Sequence, residues 1–200
     1  MKLYAVTGPM AAGKNVVCSI LEEAGFACVD ADVLTHKAVE ISKDKIIETF
    51  GTEAKQKNIS LLNKDGKINR RSLGQIVFTS PENIAKQEQI IHPIISKMMD
   101  EFIEENFAQG KNVVLNATVL YKIETIKRVD TIIFVTASFC KRFFRVLKRD
   151  NIKVKQILQR FHAQKNLFTK YKFLNTDIYK VNNNVSIKRL RKKILKIVQK

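Results

Sequence analysis

The amino-acid sequence predicts an α/β fold built on a parallel five-stranded sheet. Short apolar segments alternate with segments whose apolar residues recur at helical spacing, and this alternation is typical of parallel strands joined by helices. The segment TIIFVTA (131–137) is almost entirely apolar, as a strand covered on both faces requires. The predicted strands span residues 2–7, 26–30, 112–120, 131–137 and 176–184.

Residues 2–30 are predicted to form a strand, a small-residue loop, a helix and a second strand. KLYAVT (2–7) is the strand, and the helix over 14–24 is indicated by Val17, Ile20 and Leu21 at helical spacing. This order predicts a right-handed crossover between parallel strands.

The rest of the chain is predicted to be mainly helical between the strands. Residues 33–107 have a helical pattern, in which Pro93 is expected to kink or start a helix. Residues 139–172 form a basic helical stretch, and Ser186 is predicted to cap a last helix. Helical material is therefore inserted between the second and third strands.

Composition is that of an ordinary globular protein with an excess of positive charge. The 200 residues suit one compact domain with a small insertion, and the formal net charge is +17. Nucleic acid, a small polyanion in a basic cleft, or a solvated lysine-rich surface without a partner would each explain this charge.

The cysteines Cys18, Cys28 and Cys140 have neither metal-ligand spacing nor the density of a disulfide scaffold. We expect them to be buried free thiols in a reducing cytosol. The N-terminus has no pattern of a secretory signal, and no apolar run approaches the ~20 residues of a membrane span. The sequence therefore predicts a cytoplasmic protein with no membrane partner.

The strongest motif is the loop GPMAAGK, which has the spacing G-x-x-x-x-G-K of a phosphate-binding loop. Small residues let successive backbone N–H groups face an anion, and the following helix adds its dipole. Lys14 can then reach the β- and γ-phosphates of a nucleotide. The predicted ATP-binding residues are Gly8, Ala11, Ala12, Gly13, Lys14, Asn15 and Val16.

Asn15 stands where such loops have the serine or threonine that binds magnesium. Its amide oxygen is a neutral ligand, and Mg²⁺ keeps water molecules readily. We expect a weak or water-mediated contact of Asn15 with Mg²⁺, with phosphate binding retained.

Two further sets of residues suit phosphoryl transfer. Asp30 and Asp32 follow the second strand, where a carboxylate can accept a proton or hold magnesium. Asp32 could instead be the N-cap of a helix that starts at Val33. A group of arginines could stabilise a transferring phosphoryl group, or form a solvated basic helix face: Arg142, Arg145, Arg149 and Arg160.

Together these motifs resemble the dephospho-CoA kinase family. The resemblance rests on the segments TGPMAAGKN, VDADVLTHKAV, INRRSLGQIVF, EQIIHPII, RVLKRD and QRFHAQ, in this order along the chain. It implies a three-layer P-loop kinase fold, with a core at about 1–35, 108–138 and 173–200. It also implies a helical CoA-binding insertion at about 36–107 and a helical lid at about 139–172.

The resemblance implies ATP- and Mg²⁺-dependent phosphorylation of the ribose 3′-hydroxyl of dephospho-CoA. Asp32 would be the base, and Lys14 would bind the migrating phosphate. Arg145 and Arg149 would belong to the closing lid as catalytic residues. Substrate binding would involve Asp32, Arg70 and His92. We expect a monomer or weak oligomer whose partners are ATP and dephospho-CoA, and nucleic acid is not favoured.

The sequence departs from the family pattern around the phosphate site. Besides Asn15, Asn116 and Lys122 replace acids, and Val181 stands where an aspartate is usual. We favour an active enzyme because the residues named above persist. The alternatives are a weakened paralogue that binds nucleotide or nucleic acid, and a kinase for another small molecule.

Overall fold

The computed structural model describes residues 1–150, 152–174 and 176–199. Over these residues a single parallel sheet has the strand order β2-β3-β1-β4-β5. Its strands are β1 Leu3–Thr7, β2 Ala27–Asp30, β3 Val113–Asn116, β4 Thr131–Thr136 and β5 Asp177–Asn182. The predicted α/β fold with a five-stranded parallel sheet is confirmed.

The helices follow the predicted alternation. In chain order they are α1 Lys14–Glu22, α2 Ala31–Ile41, α3 Lys43–Gln56, α4 Arg70–Val77, α5 Pro81–Ala108, α6 Phe139–Arg149, α7 Val154–Ala163, α8 Leu167–Tyr171 and α9 Ile187–Val198. Short 3₁₀ helices span Leu120–Lys122 and Glu124–Arg128. Within the described residues, no helix has both the length and the apolarity needed to cross a bilayer.

The chain divides into two compact units. One comprises residues 1–31 together with the chain from Met99 onwards, and the other comprises Asp32–Met98. The second unit holds α2, α3, α4 and the first part of α5. Within it α3 contacts α4, and Asn69 caps α4 by accepting a hydrogen bond from the backbone N–H of Ser72 at 3.1 Å.

The core of the first unit lies between one face of the sheet and helices α1 and α9. Its buried residues come from the central strands and from both helices: Tyr4, Val6, Val17, Leu21, Val114, Ile133, Leu190 and Ile194. Val181 of β5 belongs to the same cluster and is 3% exposed. Burial of the α1 face against the sheet fixes where α1 begins at the carboxyl end of β1.

The predicted third strand is longer than the observed β3. Pairing ends at Asn116, and the chain then turns into the 3₁₀ helix that begins at Leu120. Leu120 is fully buried although it lies outside the strand. An apolar run in the sequence indicates that the segment is buried. A buried segment can be a strand or a packed turn, so the run alone does not show where the strand ends.

Pro93 is predicted to kink or start a helix, and the second alternative is wrong because α5 runs through it. Proline lacks the N–H for one helical hydrogen bond. Ile95, Met99 and Ile103 beyond it are at most 2% exposed, and their burial stabilises the continued helix. Ser186 precedes α9 as predicted, but its side chain makes no capping hydrogen bond.

Candidate active site

The loop between β1 and α1 has a backbone that requires glycine at two positions. Gly8 and Gly13 have φ angles of +145° and +99°. A Cβ atom on Gly8 would lie 2.1 Å from the carbonyl oxygen of Val135, and one on Gly13 would lie 2.0 Å from Asn183 Nδ2. The motif glycines therefore allow both the turn and the close approach of neighbouring segments.

Helix α1 begins at Lys14, so the N–H groups of its first turn and its positive dipole end are at this loop. The Lys14 ammonium donates to the Gly8 carbonyl oxygen at 3.2 Å, which places its charge over the loop. Backbone donors, a helix N-terminus and an ammonium group at one place favour an anion.

Two arginines of α6 hold the loop by its carbonyl groups. Arg142 Nε donates to the Met10 carbonyl at 2.8 Å, and Arg145 Nη1 donates to the carbonyls of Ala11 and Ala12 at 3.0 and 3.2 Å. Burial lowers the pKa of the Arg142 guanidinium from its ordinary value. Each arginine thus satisfies backbone acceptors that the tight loop leaves outside any helix or strand.

Sequence reasoning missed two further contacts of this loop and one contact of an arginine that holds it. The Gln164 side chain accepts from the Met10 N–H at 2.7 Å, and Asn183 Nδ2 donates to the Ala12 carbonyl at 2.9 Å. The Arg142 guanidinium also lies 4.1 Å from the centre of the Phe161 ring, a cation–π distance. Gln164 stands in the QRFHAQ segment, which was the only sequence signal for it; Asn183 follows a strand end and had none.

A cavity of about 500 Å³ opens where the loop meets α6. Its lining combines small loop residues with four cationic side chains: Ala11, Gly13, Lys14, Asn15, Val16, Arg145, Lys148 and Arg149. This lining contains no carboxylate, so the cavity is suited to a polyanion.

Arg149 has a second role at the end of α6. Its guanidinium pairs with the carboxylate of Asp150 at 2.7 and 2.9 Å. This hydrogen-bonded pair raises the pKa of Arg149 and lowers the pKa of Asp150. The Asp150 carboxylate therefore partly neutralises the positive charge that Arg149 brings to the cavity.

Beside the loop, three polar side chains from different elements form a hydrogen-bonded chain. Asn116, at the end of β3, donates through Nδ2 to Asn15 Oδ1 at 3.1 Å and to Asp30 Oδ2 at 3.0 Å. Asn116 is 5% exposed, and its own Oδ1 is buried without a hydrogen-bond partner. Asn15, Asn116 and Asp30 thus meet at the carboxyl ends of β2 and β3.

The side-chain oxygen atoms of these three residues suit a magnesium ion that keeps most of its water ligands. They are one carboxylate and two amide oxygens, the hard oxygen ligands that Mg²⁺ prefers. Across the described part of the chain, no cluster of three or more His, Cys, Asp or Glu side chains has the arrangement of a metal site. Protein ligands alone would therefore make only a partial site.

The remaining predicted site residues belong to the second unit. Asp32 lies in the first turn of α2, Arg70 is the first residue of α4, and His92 lies within α5. The alternative in which Asp32 caps a helix starting at Val33 is wrong, because α2 begins at Ala31. In the first unit, Arg160 lies in the last turn of α7, outside the cavity lining.

Comparison with known proteins identifies the chain. The sequence profile of the dephospho-CoA kinase family matches residues 3–188. The chain belongs to the dephospho-CoA kinase family. A dephospho-CoA kinase from Treponema denticola is 36% identical over 99% of this chain and 89% of its own length. The dephospho-CoA kinase from Treponema pallidum is 33% identical over 96% and 92%.

Solved structures agree with the P-loop kinase fold. A Thermus thermophilus crystal structure superposes with a TM-score of 0.79 at 23% identity, over 99% of this chain and 96% of that chain. Dephospho-CoA kinase from Campylobacter jejuni gives 0.66 at 23% identity over the same shares. Shikimate kinase from Bacteroides thetaiotaomicron gives 0.52 at 13% identity, covering 100% and 99%.

Proposed function

We propose that this dephospho-CoA kinase transfers the γ-phosphoryl group of ATP to the ribose 3′-hydroxyl of dephospho-CoA, giving coenzyme A and ADP. The observation that carries the proposal is the cationic cavity at the N-terminus of α1, with Lys14 over the loop. Membership of the family supplies the identity of the acceptor.

In the proposed reaction the loop N–H groups and Lys14 bind the β- and γ-phosphates. Lys14 exchanges the Gly8 carbonyl for a phosphate oxygen, and Arg145 exchanges its loop carbonyls in the same way. Together with Arg149 these cations stabilise the charge on the migrating group. The loop residues from Gly8 to Val16 thus form the ATP site.

We assign Asp32 as the base. It would take the proton of the ribose 3′-hydroxyl while that oxygen bonds to the γ-phosphorus and the bond to the bridging β–γ oxygen breaks. The assignment rests on the family motif that contains Asp32, which lies in the first turn of α2. Arg70 and His92, in the proposed CoA-binding insertion, would contact the acceptor.

Asn15 and Asp30 are the residues that would hold Mg²⁺, directly or through water. When bound, the ion would offset phosphate charge. We further propose that the enzyme is cytoplasmic, which is consistent with its three free thiols. We also propose that it is a monomer or weak oligomer.

The test is ADP formation that depends on both dephospho-CoA and Mg²⁺. Lys14→Ala should abolish turnover, whereas Lys192→Ala, on the exposed side of α9, should not change it. Turnover no higher than that of Lys14→Ala would leave the weakened paralogue, and turnover only with another acceptor would leave a different small-molecule kinase.

Asp32→Asn should lower kcat by about 10²-fold or more while ATP affinity stays similar. Asp44→Asn is its matched control, because Asp44 occupies the first turn of α3 and loses the same helix-dipole interaction. If Asp44→Asn lowers kcat equally, or if Asp32→Asn removes ATP binding, Asp32 is not the base.

A further inference from the structure

Two positions at which this chain departs from the family pattern contact each other. Asn15 and Asn116 are 101 residues apart in the sequence, yet Asn116 Nδ2 lies 3.1 Å from Asn15 Oδ1. The two asparagines are therefore one feature of the site.

The two hydrogen-bond acceptors that Asn116 contacts determine which side chain suits position 116. Asn15 Oδ1 and Asp30 Oδ2 are both acceptors, at 3.1 and 3.0 Å from Asn116 Nδ2. A side-chain amide brings two N–H donors, one for each, whereas an ionised aspartate of the same shape brings none. In this buried place an aspartate would face the Asp30 carboxylate and leave Asn15 Oδ1 without a donor.

Position 15 depends on Asn116 in turn. A serine oxygen there would end one atom closer to the backbone than Asn15 Oδ1. One N–H of the buried Asn116 amide would then lack its acceptor, which destabilises the folded chain. Each asparagine thus suits the structure only in the presence of the other.

We propose that Asn15 and Asn116 act as one positioning unit that sets how the site meets a divalent cation. Asn116 fixes the Asn15 amide oxygen and the Asp30 carboxylate, so the protein offers one negative charge where an aspartate at 116 would give two. The chain consequently binds a free divalent cation weakly and acquires it with the nucleotide, whose phosphates add the missing charge. The catalytic consequence rests on the proposed function; the coupling between the two residues does not.

The experiment is a double-mutant cycle with Asn15→Ser, Asn116→Asp and both together. Free energies of unfolding are measured in urea without metal or nucleotide. Binding of Mn²⁺ alone is measured by electron paramagnetic resonance, and the Mg²⁺ concentration for half-maximal turnover is measured in the kinase assay. Asn106→Asp is the control, since Asn106 is also a buried amide but donates to the Phe102 carbonyl at 2.8 Å.

Each single variant should be less stable than the parent chain. The double variant should regain part of the loss, because it contains neither the Asn116 N–H nor the Asn15 Oδ1 that each single variant leaves without a partner. We expect the unfolding constants to be non-additive by about tenfold or more. The double variant should bind Mn²⁺ at least about tenfold more tightly than the parent. The Mg²⁺ concentration for half-maximal turnover should accordingly be lower in the double variant than in the parent.

Additive effects would overturn the proposal, as would unchanged Mn²⁺ affinity in the double variant. A fully stable Asn116→Asp chain would also overturn it, because Asn15 would then have turned its amide to donate to the new carboxylate. Asn106→Asp should lose stability without rescue by Asn15→Ser and without a change in Mn²⁺ binding. Unfolding and Mn²⁺ binding need no substrate, so an inactive parent enzyme would refute the proposed function alone.

Discussion

Tyr171→Phe tests how α8 is attached to the strand that leads into the phosphate loop. Tyr171 is fully buried, and its hydroxyl donates to the Thr118 carbonyl at 3.0 Å while it accepts from Thr7 Oγ1 at 2.9 Å. Thr7 ends β1, directly before Gly8. One hydroxyl therefore links α8, β1 and the segment after β3.

The stability that Tyr171→Phe loses at neutral pH depends on which hydrogen bonds Thr7 and Thr118 can still form in the variant. In the variant, Thr7 Oγ1 can still donate to the Thr118 carbonyl, which lies 3.3 Å away. One hydrogen bond is then lost, and no buried donor or acceptor of this group of three remains unpaired. We expect a loss of about 1 kcal/mol in the free energy of unfolding, near the mean for one bond rather than the ~3 kcal/mol for an orphaned group.

The same residue predicts an alkaline transition. Burial raises the pKa of Tyr171 to about 12, above its ordinary value near 10. The unfolded chain loses this proton first, so the stabilisation is complete below pH ~10 and falls as the pH rises to ~12. The full loss is about 2.7 kcal/mol, and about 1.4 kcal/mol is gone by pH ~11.

Tyr171→Phe should consequently be the less stable chain at pH 8 and should match the parent near pH ~11. Urea unfolding followed by far-ultraviolet circular dichroism measures this, because the sequence contains no tryptophan for fluorescence. Other groups titrate in both chains and cancel in the difference. A stability difference that stays constant from pH ~8 to ~11.5 would refute the assignment of the raised pKa to Tyr171.

Three further outcomes are expected. Gly8→Ala should lower the free energy of unfolding by about 3 kcal/mol or more, and the melting temperature by ~6–12 °C, because its Cβ would meet the Val135 carbonyl oxygen at 2.1 Å; an unchanged melting curve would contradict the loop geometry. Arg145→Ala should weaken ATP binding by about tenfold in a calorimetric titration, and equal affinity would remove it from the ATP site. Ellman's reagent should modify exposed Cys140 before buried Cys18, whose pKa is raised by a hydrogen bond with Cys28 and by burial; a fast phase that is retained in Cys140→Ser and lost in Cys18→Ser would disprove this order.

Much of the fold could be predicted because its signals are local. The segments that became β1, β2, β4 and β5 lie within two residues of their predicted ends. The apolar character of β1 and β4 made these two strands stand out from the polar turns around them. The strand order was not predictable in this way, because it depends on which strands pair across long separations.

The site was predictable where a motif carries its own geometry. The loop glycines have the positive φ angles that the motif requires, and the strand before the loop and the helix after it are where the sequence predicts them. The contact between Asn15 and Asn116 could not be deduced, because it arises only when β3 is placed beside β1. The expectation that all three cysteines are buried is also wrong, because Cys140 is exposed on α6 and Cys28 is only half-buried.

The central position of β1 has a consequence for amide hydrogen exchange. All five of its residues are buried, and it pairs with β3 on one edge and β4 on the other. Its N–H groups should exchange deuterium only through global opening, whereas those of α6 to α8 can exchange through fraying of short helices. A bound nucleotide held by α6 would thus slow labelling first in these helices, which makes them the reporter segment for occupancy.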